Sequence, residues 1–140
     1  MGGINSGRWL AGGIAAAVTT FLLEGVFSQF YMEGMERALA DLGLTMDMSG
    51  LNWVLAILVN LILGLALVFF YAAARPRFGA GPMTAVKVAV AFWFGGNLIF
   101  LIGYNMGGFY PPDLLVMWGI MGLIQMILAT LVGGWVYKED

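Results

Sequence analysis

The chain has 140 residues, of which 61% are hydrophobic and only 10% charged, with a formal net charge of -2 and a mean hydropathy of +0.92. A domain of this size cannot hide so much apolar surface in its own core, so the composition points to a bilayer. The six basic residues are scattered without a run, which argues against nucleic acid as a partner. With neither cysteine nor histidine in the sequence, thiolate chemistry, disulfides, histidine-ligated haem and the usual zinc, iron–sulfur and type 1 copper sites have no ligands.

The first predicted span covers residues 5–30, opening on Asn5 as N-cap and bounded by the aromatic residues Trp9 and Tyr31. Its start ends in Ala15-Ala16-Ala17 as a signal peptide would, but the apolar run continues to Leu23, which predicts a retained anchor. Residues 32–42 then show Met35, Ala38, Leu39 and Leu42 on one face and Glu33, Arg37 and Asp41 on the other. That pattern predicts a short amphipathic helix lying on the membrane surface. Gly43 and the polar segment to Gly50 lead into a second span, 51–74. Arg75-Pro-Arg-Phe-Gly-Ala-Gly-Pro is read as a tight reversal, 84–105 as the third span, Gly107 to Asp113 as a turn, and 114–137 as the fourth span.

The expected fold is therefore an all-α integral membrane protein, a single domain over 1–140. Four transmembrane helices form an up-and-down bundle, with the surface helix between the first two. Five basic residues, Arg8, Arg75, Arg77, Lys87 and Lys138, fall at one end of this arrangement, and Arg37 stands at the other among Glu33, Glu36, Asp41, Asp47 and Asp113. By the positive-inside rule both termini are expected to be cytoplasmic.

Small and polar residues recur at helical spacing in the spans and mark faces turned toward other helices. The expected packing positions are Gly13, Ala17, Ala56, Gly64, Gly95, Gly96, Gly122, Ala129 and Gly133. Glu24 is the acidic residue embedded in an apolar run, and an ionisable group there is a candidate site. With Thr20 and Ser28 on its own face and Asn60, Asn97 and Gln125 in the other spans, it defines a candidate polar pocket for a small molecule, ion or proton. The same residues can instead cross-link helices, the reading favoured by a lone carboxyl with no basic partner in the other spans. Ser6, Ser28 and Ser49 have no histidine to act as base, and no pair of acids occupies facing spans, so no catalytic residues and no cofactor are expected. Met32-x-x-Met35 and Met46-x-Met48 offer thioethers at spacings suited to copper(I), although methionine is also an adaptable packing residue.

Ile4-Asn5-x-Gly7-Arg8 with Gly12-Gly13, then Tyr71-Ala-Ala-x-Arg75-Pro76-x-Phe78-Gly79-x-Gly81-Pro82-x-Thr84-Ala85, and finally Trp135-x-Tyr137-Lys138-Glu139 together resemble an uncharacterised family of small bacterial four-span inner-membrane proteins. The resemblance implies a multi-pass protein of the bacterial cytoplasmic membrane and carries no catalytic residues. The Met-rich segment lies outside it. The leading functional expectation is a non-catalytic accessory or structural subunit of a larger membrane complex, whose partners are lipid and other integral membrane subunits. The alternatives are a small oligomeric transporter or ligand-binding protein built on the pocket around Glu24 and, third, copper(I) handling by the methionines.

Overall fold

The computed structural model describes residues 3–138, and among them the chain is helical with loops and without strands. The helices are α1 (Ser6–Asp41), α2 (Leu51–Phe78), α3 (Pro82–Phe92), α4 (Leu98–Gly107) and α5 (Pro112–Val136), with a π turn, Trp93–Asn97, joining α3 to α4. Among the described residues, four stretches are long and apolar enough to cross a membrane: Ser6–Asp41, Leu51–Phe78, Pro82–Gly107 and Pro112–Val136.

Helix α1 starts where the Asn5 side chain accepts from the Arg8 amide at 3.0 Å, as an N-cap should. It does not stop near Tyr31. The separate surface helix expected over 32–42 is instead the continuation of α1, which runs unbroken for 36 residues, about 54 Å at 1.5 Å per residue. Three contacts carry it onward. Tyr31 stacks on Trp118, Gly34 sits against Leu114, and Arg37 pairs with Glu33 one turn earlier. An amphipathic face fits a membrane surface or another helix equally well, and here the Tyr31 and Gly34 edge of α1 meets α5 while Leu42 stays exposed.

The reversal expected from Arg75 onward is also shorter than the sequence implied. Helix α2 carries Pro76 in its last turns and ends at Phe78, leaving Gly79 to Gly81 as the bend. Gly79 at φ 83° and Gly81 at φ 136° adopt backbone conformations that a side chain would strain. The Thr84 hydroxyl donates to the Gly79 carbonyl at 2.7 Å, and the Tyr71 hydroxyl accepts from the Gly81 amide at 3.1 Å, so the bend is tied to both flanking helices. Pro82 then opens α3 at the position where a missing N–H costs nothing.

Helix α1 packs along both α2 and α5, while α3 packs on α5 and α2. The tightest packing joins the first turns of α1 to the last turns of α2 and α5. There Ala16, Leu67, Val68, Tyr71, Ala72, Ala85, Ala129 and Tyr137 form a buried core. Toward the other end α2 is left largely uncovered. From Leu51 to Val59 every residue of α2 except Ala56 is exposed, and among the described residues α2 and α4 make no close backbone approach.

Candidate functional site

Glu24 lies on α1 two turns before Tyr31, and seven residues of α-helix return to nearly the same face. The Tyr31 hydroxyl donates to one carboxylate oxygen of Glu24. Gln125, reaching across from α5, sends its amide to the Thr20 carbonyl at 2.8 Å and to the second Glu24 oxygen at 3.3 Å. Both carboxylate oxygens are thus occupied, one from α1 itself and one from α5. This is a polar clamp between two helices.

The clamp sits beneath an aromatic stack. Tyr31, only 2% exposed, lies over Trp118 of α5 with ring centroids 5.9 Å apart, and Trp118 lies parallel to Tyr104 of α4 at 6.0 Å. Tyr110, from the turn between α4 and α5, meets Tyr104 and Trp118 edge-on at 5.5 and 5.8 Å, and Phe109 adds an edge contact to Tyr104. Edge-to-face and offset-stacked rings are the favoured aromatic geometries. Burial, with Tyr104 alongside, pushes the Tyr110 hydroxyl above the ordinary tyrosine range. The stack ties α1, α4 and α5 together where the rest of that end is open.

The other residues of the expected pocket lie elsewhere. The Thr20 hydroxyl turns back to Ala17 of its own helix, and the Ser28 hydroxyl likewise to Gly25, so neither reaches Glu24. Asn60 donates to Ala56 at 2.9 Å and borders a shallow groove between α1 and α2 lined by Ala17, Phe21 and Ile57. Asn97, at the end of the π turn, packs against Gly122, and its side-chain oxygen is buried without a hydrogen-bond partner. The structure therefore brings together Glu24, Gln125 and the backbone of Thr20, and places Ser28, Asn60 and Asn97 in separate surroundings. Tyr31 and Trp118 are the members that sequence reasoning missed. The seven-residue step from Glu24 to Tyr31 was the available signal, masked because an aromatic residue at the end of a span also reads as an interface belt.

The small residues divide in the same way. A Cβ on Gly64 would stand 2.5 Å from the Gly13 carbonyl oxygen and the Ala17 nitrogen, and Gly133 faces Gly12, Ala16 and Val68. Gly13 meets Leu65, Ala129 is fully buried, and Ala56 is partly buried under the Asn60 amide. Gly95 and Gly96, by contrast, have nothing within 4 Å of where a Cβ would be. Met32 and Met35 lie partly buried on α1, while Met46 and Met48 lie in the loop after it. Among the described residues, no group of three or more Asp or Glu side chains gathers in a way that could hold a metal ion.

Five of the six basic residues are gathered at one end. Arg8 donates to the Lys138 carbonyl, Arg75 lies over Tyr137, and Arg77 and Lys87 both lie over Phe78. At the opposite end Arg37, Asp41 and Asp113 border a cavity of about 550 Å³ beside Tyr110. No family model, curated protein or solved structure matches the chain.

Proposed function

We propose that the chain is a four-span, up-and-down membrane protein that serves as a non-catalytic accessory subunit packed against other integral membrane proteins. In this reading it belongs to the bacterial inner membrane, with its basic end and both termini cytoplasmic. At about 54 Å, α1 exceeds the roughly 30 Å hydrocarbon thickness, so its last turns stand outside the bilayer with Glu33, Arg37 and Asp41 in water.

The observation that carries the subunit reading is the open space around Gly25, Gly95, Gly96 and Gly103. Helical glycine costs about 0.5–1 kcal/mol relative to alanine. The cost is offset where a neighbouring backbone comes close, as at Gly64, but these four glycines meet no such neighbour among the described residues. Phe94, Ile99 and Phe100 stand exposed beside the glycines of the third span, leaving notches that another helix can enter. The Glu24 clamp supports the same reading, because both of its oxygens are taken by side chains of the protein itself.

Gly95→Leu/Gly103→Leu is expected to leave the helical content and melting of the purified chain unchanged while abolishing its co-purification with larger membrane proteins in mild detergent. Wild-type chain that migrates as a lone monomer at every detergent concentration would remove the proposal.

A further inference from the structure

At the basic end, a cavity of about 550 Å³ opens where α2 ends, α3 begins and α5 ends. Its wall carries two cations, Arg75 and Lys138, and an apolar side that includes Ala85 and Leu131. Both cations are set against aromatic rings. The Arg75 guanidinium lies 5.4 Å above the buried Tyr137 ring, and the Lys138 ammonium lies 5.3 Å from the centre of the exposed Trp135 ring. Arg8 adds a third positive charge close by through its bond to the Lys138 carbonyl.

We propose that this cavity binds the phosphate of an anionic phospholipid, with Arg75 and Lys138 as its cations and an acyl chain leaving along Ala85 and Leu131. The proposal rests on the membrane reading above, which places the cavity at the cytoplasmic interface. A guanidinium has five N–H donors in a planar fork suited to phosphate oxygens, and it can serve more than one partner at once. Basic pockets between membrane helices on the cytoplasmic side have the chemistry to hold anionic headgroups. The apolar wall favours a lipid over a soluble phosphate, since free phosphate has nothing to place against Ala85 and Leu131. Trp135, 71% exposed at the rim, is the amphipathic side chain that sits at headgroup level. The two acidic residues that follow Lys138 lie outside the described residues, and every chain compared below carries them.

The test is native mass spectrometry of the full chain in mild detergent, titrated with phosphatidylglycerol or with phosphatidylcholine of the same chain length. Wild type is expected to retain phosphatidylglycerol in preference. Lys138→Gln, at an exposed position, should weaken that binding about fivefold, the factor expected for one cation near an anionic headgroup. Arg75→Lys should weaken it less than Arg75→Gln, and Lys87→Gln, a charge change outside the cavity, should leave it unchanged. Equal weakening by Lys87→Gln would reduce the effect to diffuse surface charge, and displacement by glycerol phosphate at equal concentration would make the ligand a soluble phosphate. Either result overturns the proposal while leaving the membrane reading intact. A chain that stays soluble without detergent would instead sink the membrane reading itself.

Discussion

Gly64→Ala is expected to destabilise the protein by about 3 kcal/mol or more, the upper end of the range for forcing extra volume into packed helices. The reason is what the new methyl group would meet. It would lie 2.5 Å from the Ala17 nitrogen and the Gly13 carbonyl oxygen and 2.8 Å from the Ala17 Cα, all backbone atoms that no rotamer change can move aside. Helices α1 and α2 would have to part, and α1 also carries the contacts to α5. Gly133→Ala should cost somewhat less, because Val68 can rotate even though the Gly12 carbonyl oxygen at 2.8 Å cannot. Gly13→Ala meets mainly the Leu65 side chain and should be milder again. Gly95→Ala meets nothing and should be neutral or slightly stabilising, by up to about 1 kcal/mol from helix propensity. Unfolding of the four variants in denaturant, followed by tryptophan fluorescence, tests the order. A Gly95→Ala chain as unstable as Gly64→Ala would mean that the packing around α3 is not as described.

That graded series marks how far the sequence could be read. Gly13, Ala17 and Gly64 stand at helical spacing on their own spans, and they meet each other because a small residue on one helix needs a small residue opposite. Gly95 and Gly96 carry the same local signature yet face open space. Spacing cannot distinguish a notch filled by the chain's own helix from one left for another protein. The four apolar stretches were legible because a long apolar run has few other uses. The end of the first was not, since the face formed by Met35, Ala38 and Leu42 is equally suited to lipid or to the start of α5. In the site, Glu24 stood out as a carboxyl in an apolar run, but its partners did not. Amides and hydroxyls can always bond their own helix, as Thr20, Ser28 and Asn60 do, whereas Gln125 bonds across to α1.

The second large effect should fall on the clamp itself, where Glu24→Leu is expected to cost about 1–3 kcal/mol. Leucine removes the acceptor for the Tyr31 hydroxyl, which is buried beneath Trp118 and would be left as an orphan donor. Gln125 suffers less, because its 2.8 Å bond to the Thr20 carbonyl survives. Tyr31→Phe should cost less than Glu24→Leu, since the ring and its stacking remain and Glu24 keeps the Gln125 contact. The double variant Glu24→Leu/Tyr31→Phe should then be no less stable than Glu24→Leu alone, because the stranded hydroxyl is gone as well. The coupling should be about 0.5–1.5 kcal/mol, the net contribution of a typical hydrogen bond within a protein. Glu24→Gln keeps an oxygen for Tyr31 and should be the mildest change. It also separates the two functional readings. A ligand site needs the carboxylate, so binding or uptake would vanish in Glu24→Gln while the midpoint of unfolding stayed where it was. A clamp needs only an acceptor. Full function in Glu24→Gln together with its loss in Glu24→Leu, in step with stability, is the result expected of a residue that holds α1 to α5.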